Sequence, residues 1–239
     1  MPYYYGFDWT YLVLVLPCVI LSLWASSSVN STFQKYSQQL SIRRITGAQA
    51  AQRVLAHNGV SGVRIERVSG NLTDHYDPTT NVIRLSDSVY DATSTAAIGV
   101  ACHEAGHAVQ YAQNYAPIKL RAAIIPLTNF GSRIAMPLIL IGILLTFLGT
   151  FSTVLVYLGI ACFGLSLLFQ LVTLPVEFDA SKRAMNAIES AGLLTEEEQQ
   201  GARKTLRAAA MTYVAATAVS LAQLLRLIVL FGGGNRRRD

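Results

Sequence analysis

The feature that most limits what this chain can fold into is a run of 41 residues, 134–174, without a single charged side chain. A helix crosses a bilayer core with ~20 apolar residues. The run is therefore too long for one crossing and suits two, joined by a turn at Gly149-Thr150-Phe151-Ser152. The first arm reaches full length if it extends back through Arg133, whose long side chain can snorkel to the interface. Residues 9–26, WTYLVLVLPCVILSLWAS, form another span, with Trp9, Tyr11 and Trp24 as interfacial anchors. Asp8 precedes this span and Lys35, Arg43 and Arg44 follow it, so it reads as an uncleaved anchor with its amino terminus outside. Residues 211–231 are apolar but Ala/Thr-rich and interrupted by Gln223 and Arg226. They either cross, which would carry Arg236, Arg237 and Arg238 outside against the positive-inside tendency, or lie on or beside the hairpin with the tail inside, and the second is slightly favoured.

Composition agrees with this reading. Only 14% of the 239 residues are charged, against roughly 25% in soluble domains, and the mean hydropathy is +0.38. This excludes an ordinary soluble protein. The net charge of +5 does not signal nucleic acid, because the basic residues are scattered or flank apolar runs. Residues 29–133 hold ten Lys+Arg and 175–207 hold five, which places both polar segments in the cytoplasm. The chain thus divides into an anchor (1–28), a cytoplasmic segment (29–133), a transmembrane hairpin (134–174), a second cytoplasmic helix region (175–207) and a terminal apolar helix with its basic tail (208–239). Cys18, Cys102 and Cys162 are too few and too apolar in setting for a disulfide framework, and Cys102 reads as a small packing residue.

Periodicity within the first cytoplasmic segment gives a helix, two strands and a helix. Thr46 can cap a helix with apolar positions Ala48, Ala51, Val54 and Leu55, ended by Asn58-Gly59. Residues 63–68 and 81–85 alternate as strands. Ser86 or Asp87 opens the last helical region, which from Thr95 runs through TAAIGVACHEAGHAVQYAQ.

That helix contains His103-Glu104-Ala105-Gly106-His107, expected by chance roughly 0.002 times in a chain with four His and seven Glu. His103 and His107 are displaced by only ~40° around the helix axis and ~6 Å along it, so both imidazoles can reach one metal ion. Zinc accepts that pair, and Glu104 beside them can approach the attacking water without ligating, the position of a general base. A catalytic zinc takes a third protein ligand, for which His57, His75, Glu66, Asp77, Asp91, Glu177 and Asp179 are candidates. An even number of crossings returns the chain to the side of the His107 helix just before Glu177, which favours Glu177. In Asp74-His75-Tyr76-Asp77-Pro78, His75 and Tyr76 are candidate oxyanion donors beside the alternative of a plain Asx turn, and Arg183 is a further candidate for substrate contact.

These residues resemble a family. The anchor, LTDHYDP (72–78), VIRLS (82–86), HEAGHAVQ (103–110) and PVEFDASKRA (175–184) are similar to the YugP-type bacterial membrane neutral zinc metallopeptidases over nearly the whole chain. The chain also resembles, more distantly, HtpX-like and CAAX prenyl endopeptidases. The resemblance implies an α+β membrane protein with a multi-span helical region and a small zincin-like (gluzincin) helix-strand-strand-helix core. It further implies one Zn2+ per chain on His103, His107 and Glu177, with Glu104 catalytic. The distant relatives place an Asp four residues after the glutamate ligand, where this chain has Ser181. FtsH-type proteases share HEAGHA but carry an ATPase module, and this chain has no G-x-x-x-x-G-K-[ST] loop.

The expected function is a multi-pass cell-membrane zinc endopeptidase with its site on the cytoplasmic face, acting on protein or peptide substrates and contacting lipid but not nucleic acid. The 81–85 strand would offer the edge on which an extended substrate pairs. The alternatives are an intramembrane site-2-type protease, with its metal at bilayer depth, and a non-enzymatic zinc-binding membrane adaptor.

Overall fold

A computed structural model describes residues 8–232, which divide into two units. Residues 25–120 and 174–212 form one; residues up to 24, 121–173 and from 213 onward form the other.

In the first unit, α2 (Gly47–His57) begins at a full capping box: the Thr46 hydroxyl accepts from Gln49 N and the Gln49 side chain accepts from Thr46 N. Its buried face is Ala50, Ala51, Val54 and Leu55. A three-stranded sheet follows, β1 (Arg64–Val68), β2 (His75–Asp77) and β3 (Val82–Ser86), in the order β1-β3-β2. β1 pairs in parallel with β3, from Arg64 opposite Val82 to Val68 opposite Ser86, and β2 pairs antiparallel. The expected two strands are therefore three. β2 is only three residues long, too short for alternation to show, and it merges into the turn at Asp77. There the carboxylate accepts from Thr79 N at 2.9 Å and from the Thr80 hydroxyl at 2.7 Å. The expectation of an open edge at residues 81–85 is overturned as well. β3 is the central strand with both edges paired, and Val82, Ile83, Leu85 and Ser86 are buried on both its faces.

Helix α3 (Thr95–Ala112) starts at Ser94, whose hydroxyl accepts from Ala97 N at 3.2 Å. Fourteen of its eighteen residues are buried, Cys102 included, and Val100, His103 and Tyr111 form one partly exposed stripe, so this is a central helix with a narrow accessible face. Two glycines let neighbouring backbone approach it. A Cβ on Gly99 would sit 3.2 Å from Ala202 Cα, and one on Gly106 only 2.8 Å from the Ala180 carbonyl oxygen.

Among the described residues, four helices are long and apolar enough to cross a membrane. They are α1 (Leu16–Ser37) with the π-helical turn Tyr11–Val15 before it, α4 (Ala116–Leu144), α5 (Thr150–Ser190) and α6 (Glu196–Gly232). α4 does extend back through Arg133. The hairpin turns slightly earlier than expected, through a 3-10 turn at Thr146–Leu148 and Gly149 at φ 58°, and Thr150 to Ser152 already belong to α5. Glycines bring α4 and α5 to backbone contact: a Cβ on Gly159 would lie 2.8 Å from the Ala135 carbonyl oxygen. α5 does not stop at Pro175. The ring removes one helical N–H and leaves the helix continuous.

The second unit also shows what residues 211–231 pack against. Leu227 of α6 packs with Ile139, Val156 and Ile160, and the Tyr157 hydroxyl donates to the Phe231 carbonyl at 3.0 Å. Arg226, which argued against a crossing, is neutralised: its guanidinium donates to Asp8 from Nε at 2.9 Å and stacks 5.5 Å from the Tyr11 ring. The last turns of α6 thus pack against both arms of the hairpin and reach Asp8, and α6 is among the helices long and apolar enough to cross a membrane. The Arg236 to Arg238 tail lies outside the described residues.

Gly106→Ala should lower the unfolding midpoint in detergent, with a cost of about 1–3 kcal/mol from the clash with the Ala180 carbonyl. Gly164→Ala, with nothing within 4 Å of the added carbon, should leave it unchanged or raise it.

Candidate metal centre

One helical turn separates His103 and His107 on α3, and their rings meet edge to face with centroids 4.7 Å apart. The uncharged stretch of α5 ends at Leu174, and three residues later Glu177 brings its carboxylate between them. Glu177 Oε2 is 3.2 Å from His103 Nε2 and 3.6 Å from His107 Nε2. The donor atoms of all three residues lie within 4.8 Å of one another. Glu177 is 2% exposed and His107 9%, so the carboxylate has been taken out of water into the company of two nitrogen donors.

The donor set fits zinc. Two imidazole nitrogens and one carboxylate oxygen are ligands zinc takes in catalytic sites, and a tetrahedral ion with bonds of ~2.0–2.1 Å sets its donors about 3.3 Å apart. The two carboxylate–imidazole separations bracket that spacing. Burial by itself would raise the Glu177 carboxyl, but the hydrogen bond with His103 and the close approach of His107 outweigh it and hold the group well below the usual carboxylate range. Burial works against protonated His107, yet the charges of Glu177 and Glu104 push the imidazole upward.

Glu104 follows His103 directly and is 8% exposed. Its charge is felt at both His107 and Asp74. Asp74 is raised by burial, although its carboxylate accepts from Ser86 N at 2.7 Å and from the Ser86 hydroxyl at 2.9 Å.

Of the seven candidates for a third ligand, the fold brings Glu177 to the histidine pair. Glu66 and Asp77 pair with arginines of the sheet, and Asp91 pairs with Arg67. His57 contacts the Ser190 hydroxyl at 3.0 Å, and His75 contacts the Thr73 carbonyl at 2.9 Å. The Tyr76 hydroxyl donates to Asn81 at 2.7 Å, and its ring rests against Tyr111. The polar atoms of His75 and Tyr76 are thus engaged around the β2–β3 hairpin, whereas Arg183 grips Asp179 and Gln113.

Asp179 leads to a residue that the sequence reading passed over. Gln110, fully buried on α3, accepts from His107 Nδ1 at 3.0 Å through Oε1. Its Nε2 donates at 2.8 Å to both the Val176 carbonyl and Asp179. The available signal was an amide three residues after His107 on a helix otherwise apolar at that end. His103 has its own partner, the Ser181 hydroxyl, 3.2 Å from Nδ1. The position that departs from the distant relatives' Asp therefore still reaches the imidazole.

Residues 11–232 match a family described as "Putative neutral zinc metallopeptidase". The chain is 46% identical over 224 residues to "Putative membrane protease YugP" of Bacillus subtilis (strain 168), covering 94% of this chain and 97% of that protein. No solved structure matches.

Glu177→Ala removes the one anionic donor of the cluster and should weaken zinc binding by more than ~100-fold, beyond the ~10- to 100-fold typical of outer-shell losses. Ser181→Ala should stay within that smaller range. Competition with a chromophoric chelator measures both.

Proposed function

The chain belongs to the neutral zinc metallopeptidase family, and from that premise we propose that it is a membrane-embedded endopeptidase of the gluzincin type. The observation that carries the reading is the position of one buried carboxylate oxygen 3.2 and 3.6 Å from the Nε2 atoms of His103 and His107.

In this reading His103, His107 and Glu177 hold one zinc ion. When bound, zinc supplies Lewis acidity toward the scissile carbonyl and makes water acidic near neutral pH. Glu104 takes the proton of the attacking water and passes it to the leaving amine. It is suited to this because it sits beside the ligands while remaining outside the three-donor cluster. An extended substrate pairs with β2, whose outer edge is open among the described residues, since β3 is enclosed. His75, Tyr76 and Asp77 would then line the peptide.

The fifteen Lys and Arg of residues 29–133 and 175–207 support a site on the cytoplasmic side. The segmentation follows the same logic, with an anchor at 1–28, polar segments at 29–133 and 175–207 around the 134–174 hairpin, and a last helix in 208–239.

Glu104→Gln should keep one equivalent of zinc while losing ~10²- to 10⁴-fold in chelator-sensitive cleavage of a casein-like substrate in detergent. Loss of zinc in this variant would make Glu104 a ligand. Zinc binding by the wild type without any cleavage would favour an adaptor. Cysteines introduced at Ser37 and Gln199 should resist membrane-impermeant thiol reagents in intact cells while one at Ser152 reacts; the reverse pattern would put the site outside.

A further inference from the structure

A histidine that ligates a metal through one ring nitrogen carries its proton on the other, and whatever faces that second nitrogen decides how firmly the tautomer is set. The two histidines of the cluster differ here. His103 Nδ1 faces a hydroxyl, Ser181 Oγ at 3.2 Å, which donates or accepts with equal ease. His107 Nδ1 faces the side-chain amide of Gln110, whose two ends are not interchangeable in this setting.

Gln110 Nε2 lies 2.8 Å from the Val176 carbonyl oxygen and 2.8 Å from Asp179 Oδ2. Both partners only accept. Turning the amide over would set its oxygen against a carbonyl and a carboxylate while Gln110 itself is fully buried. The amide therefore has one orientation, with Oε1 toward His107 Nδ1 at 3.0 Å. Opposite an oxygen that only accepts, Nδ1 must hold the proton, and Nε2 is the nitrogen left for the ion. Asp179 is itself restrained by Arg183 Nε at 2.5 Å, and Arg183 is braced by Gln113 and by the Tyr115 ring, 5.6 Å away.

We infer that Gln110, oriented jointly by the Val176 carbonyl and Asp179, is a positioning residue that locks His107 as the Nδ1–H tautomer, and that Arg183 serves the site as the clamp on Asp179. The inference rests on the reading of the cluster as a zinc centre. It makes the site asymmetric. His107 is presented to zinc ready in its ligating form, while His103 adopts that form when the ion arrives, its Ser181 partner accommodating either state.

The experiment compares full-length variants in detergent by zinc affinity, through chelator competition, and by long-range 15N–1H spectra of the zinc-loaded, 15N-histidine-labelled protein. Gln110→Met should weaken zinc by ~10- to 100-fold and expose the His107 Nδ1 proton to rapid solvent exchange. Asp179→Leu should lose affinity in the same direction. Asp179→Asn keeps an oxygen that accepts from Gln110, so it should stay near wild type, and this pair separates orientation of the amide from a general loss of packing. Ser181→Ala should leave the His107 signals untouched. Wild-type zinc affinity in both Gln110→Met and Asp179→Leu would overturn the inference, as would His107 bound through Nδ1, or Asp179→Asn as damaging as Asp179→Leu. Failure of the wild type to bind one zinc would overturn the zinc centre, and this inference with it.

Discussion

A carboxylate 2% exposed to solvent cannot sit unpartnered, and the packing around Glu177 serves to give it two imidazoles. Glu177 is far from His103 and His107 in sequence, so the contact depends on two backbones meeting closely. Gly106 lies one residue before His107, and a Cβ there would come 2.8 Å from the carbonyl of Ala180, three residues after Glu177. No larger residue at position 106 allows α5 to lie where its carboxylate reaches both Nε2 atoms. The continuity of α5 matters equally. Because the helix runs through Pro175 to Ser190, Glu177, Asp179, Ser181 and Arg183 are fixed in one helical register, in which Glu177 and Ser181 meet His103, Asp179 meets Gln110 and Arg183 holds Asp179.

Helix α3 answers with polar groups in an otherwise apolar cylinder. His107 and Gln110 are buried there with named partners, and Glu104 is buried at the same level. A buried polar group costs free energy unless its hydrogen bonds are made. The chain of contacts from His107 through Gln110 and Asp179 to Arg183 at the more exposed end meets that requirement and orients the imidazole as well.

Much of this was legible from the sequence. The spacing of His103 and His107 is a helical property that tertiary context does not alter, the capping box at Thr46 is local chemistry, and the uncharged run of 134–174 admits little but a hairpin. Glu177 could be inferred because an even number of crossings restores the side of departure. What escaped the sequence depended on pairings that local patterning does not encode. β2 is three residues long and exists because β3 offers it an edge. β3 is enclosed because the β2–β3 hairpin folds back against β1, a matter of topology that alternation does not encode. Arg226 interrupts the apolar run of α6, and its partner Asp8 lies 218 residues away. Gln110 looked like one more polar residue near a helix end, since its meaning lies in Val176 and Asp179 on another helix.

The most direct test of the central claim is the X-ray absorption spectrum at the zinc edge of the purified, zinc-loaded protein. A centre built from His103, His107 and Glu177 predicts a shell of nitrogen and oxygen at about 2.0–2.2 Å, with the outer-shell scattering of two imidazoles. A sulfur contribution near about 2.3 Å, or scattering from a single imidazole, would contradict it.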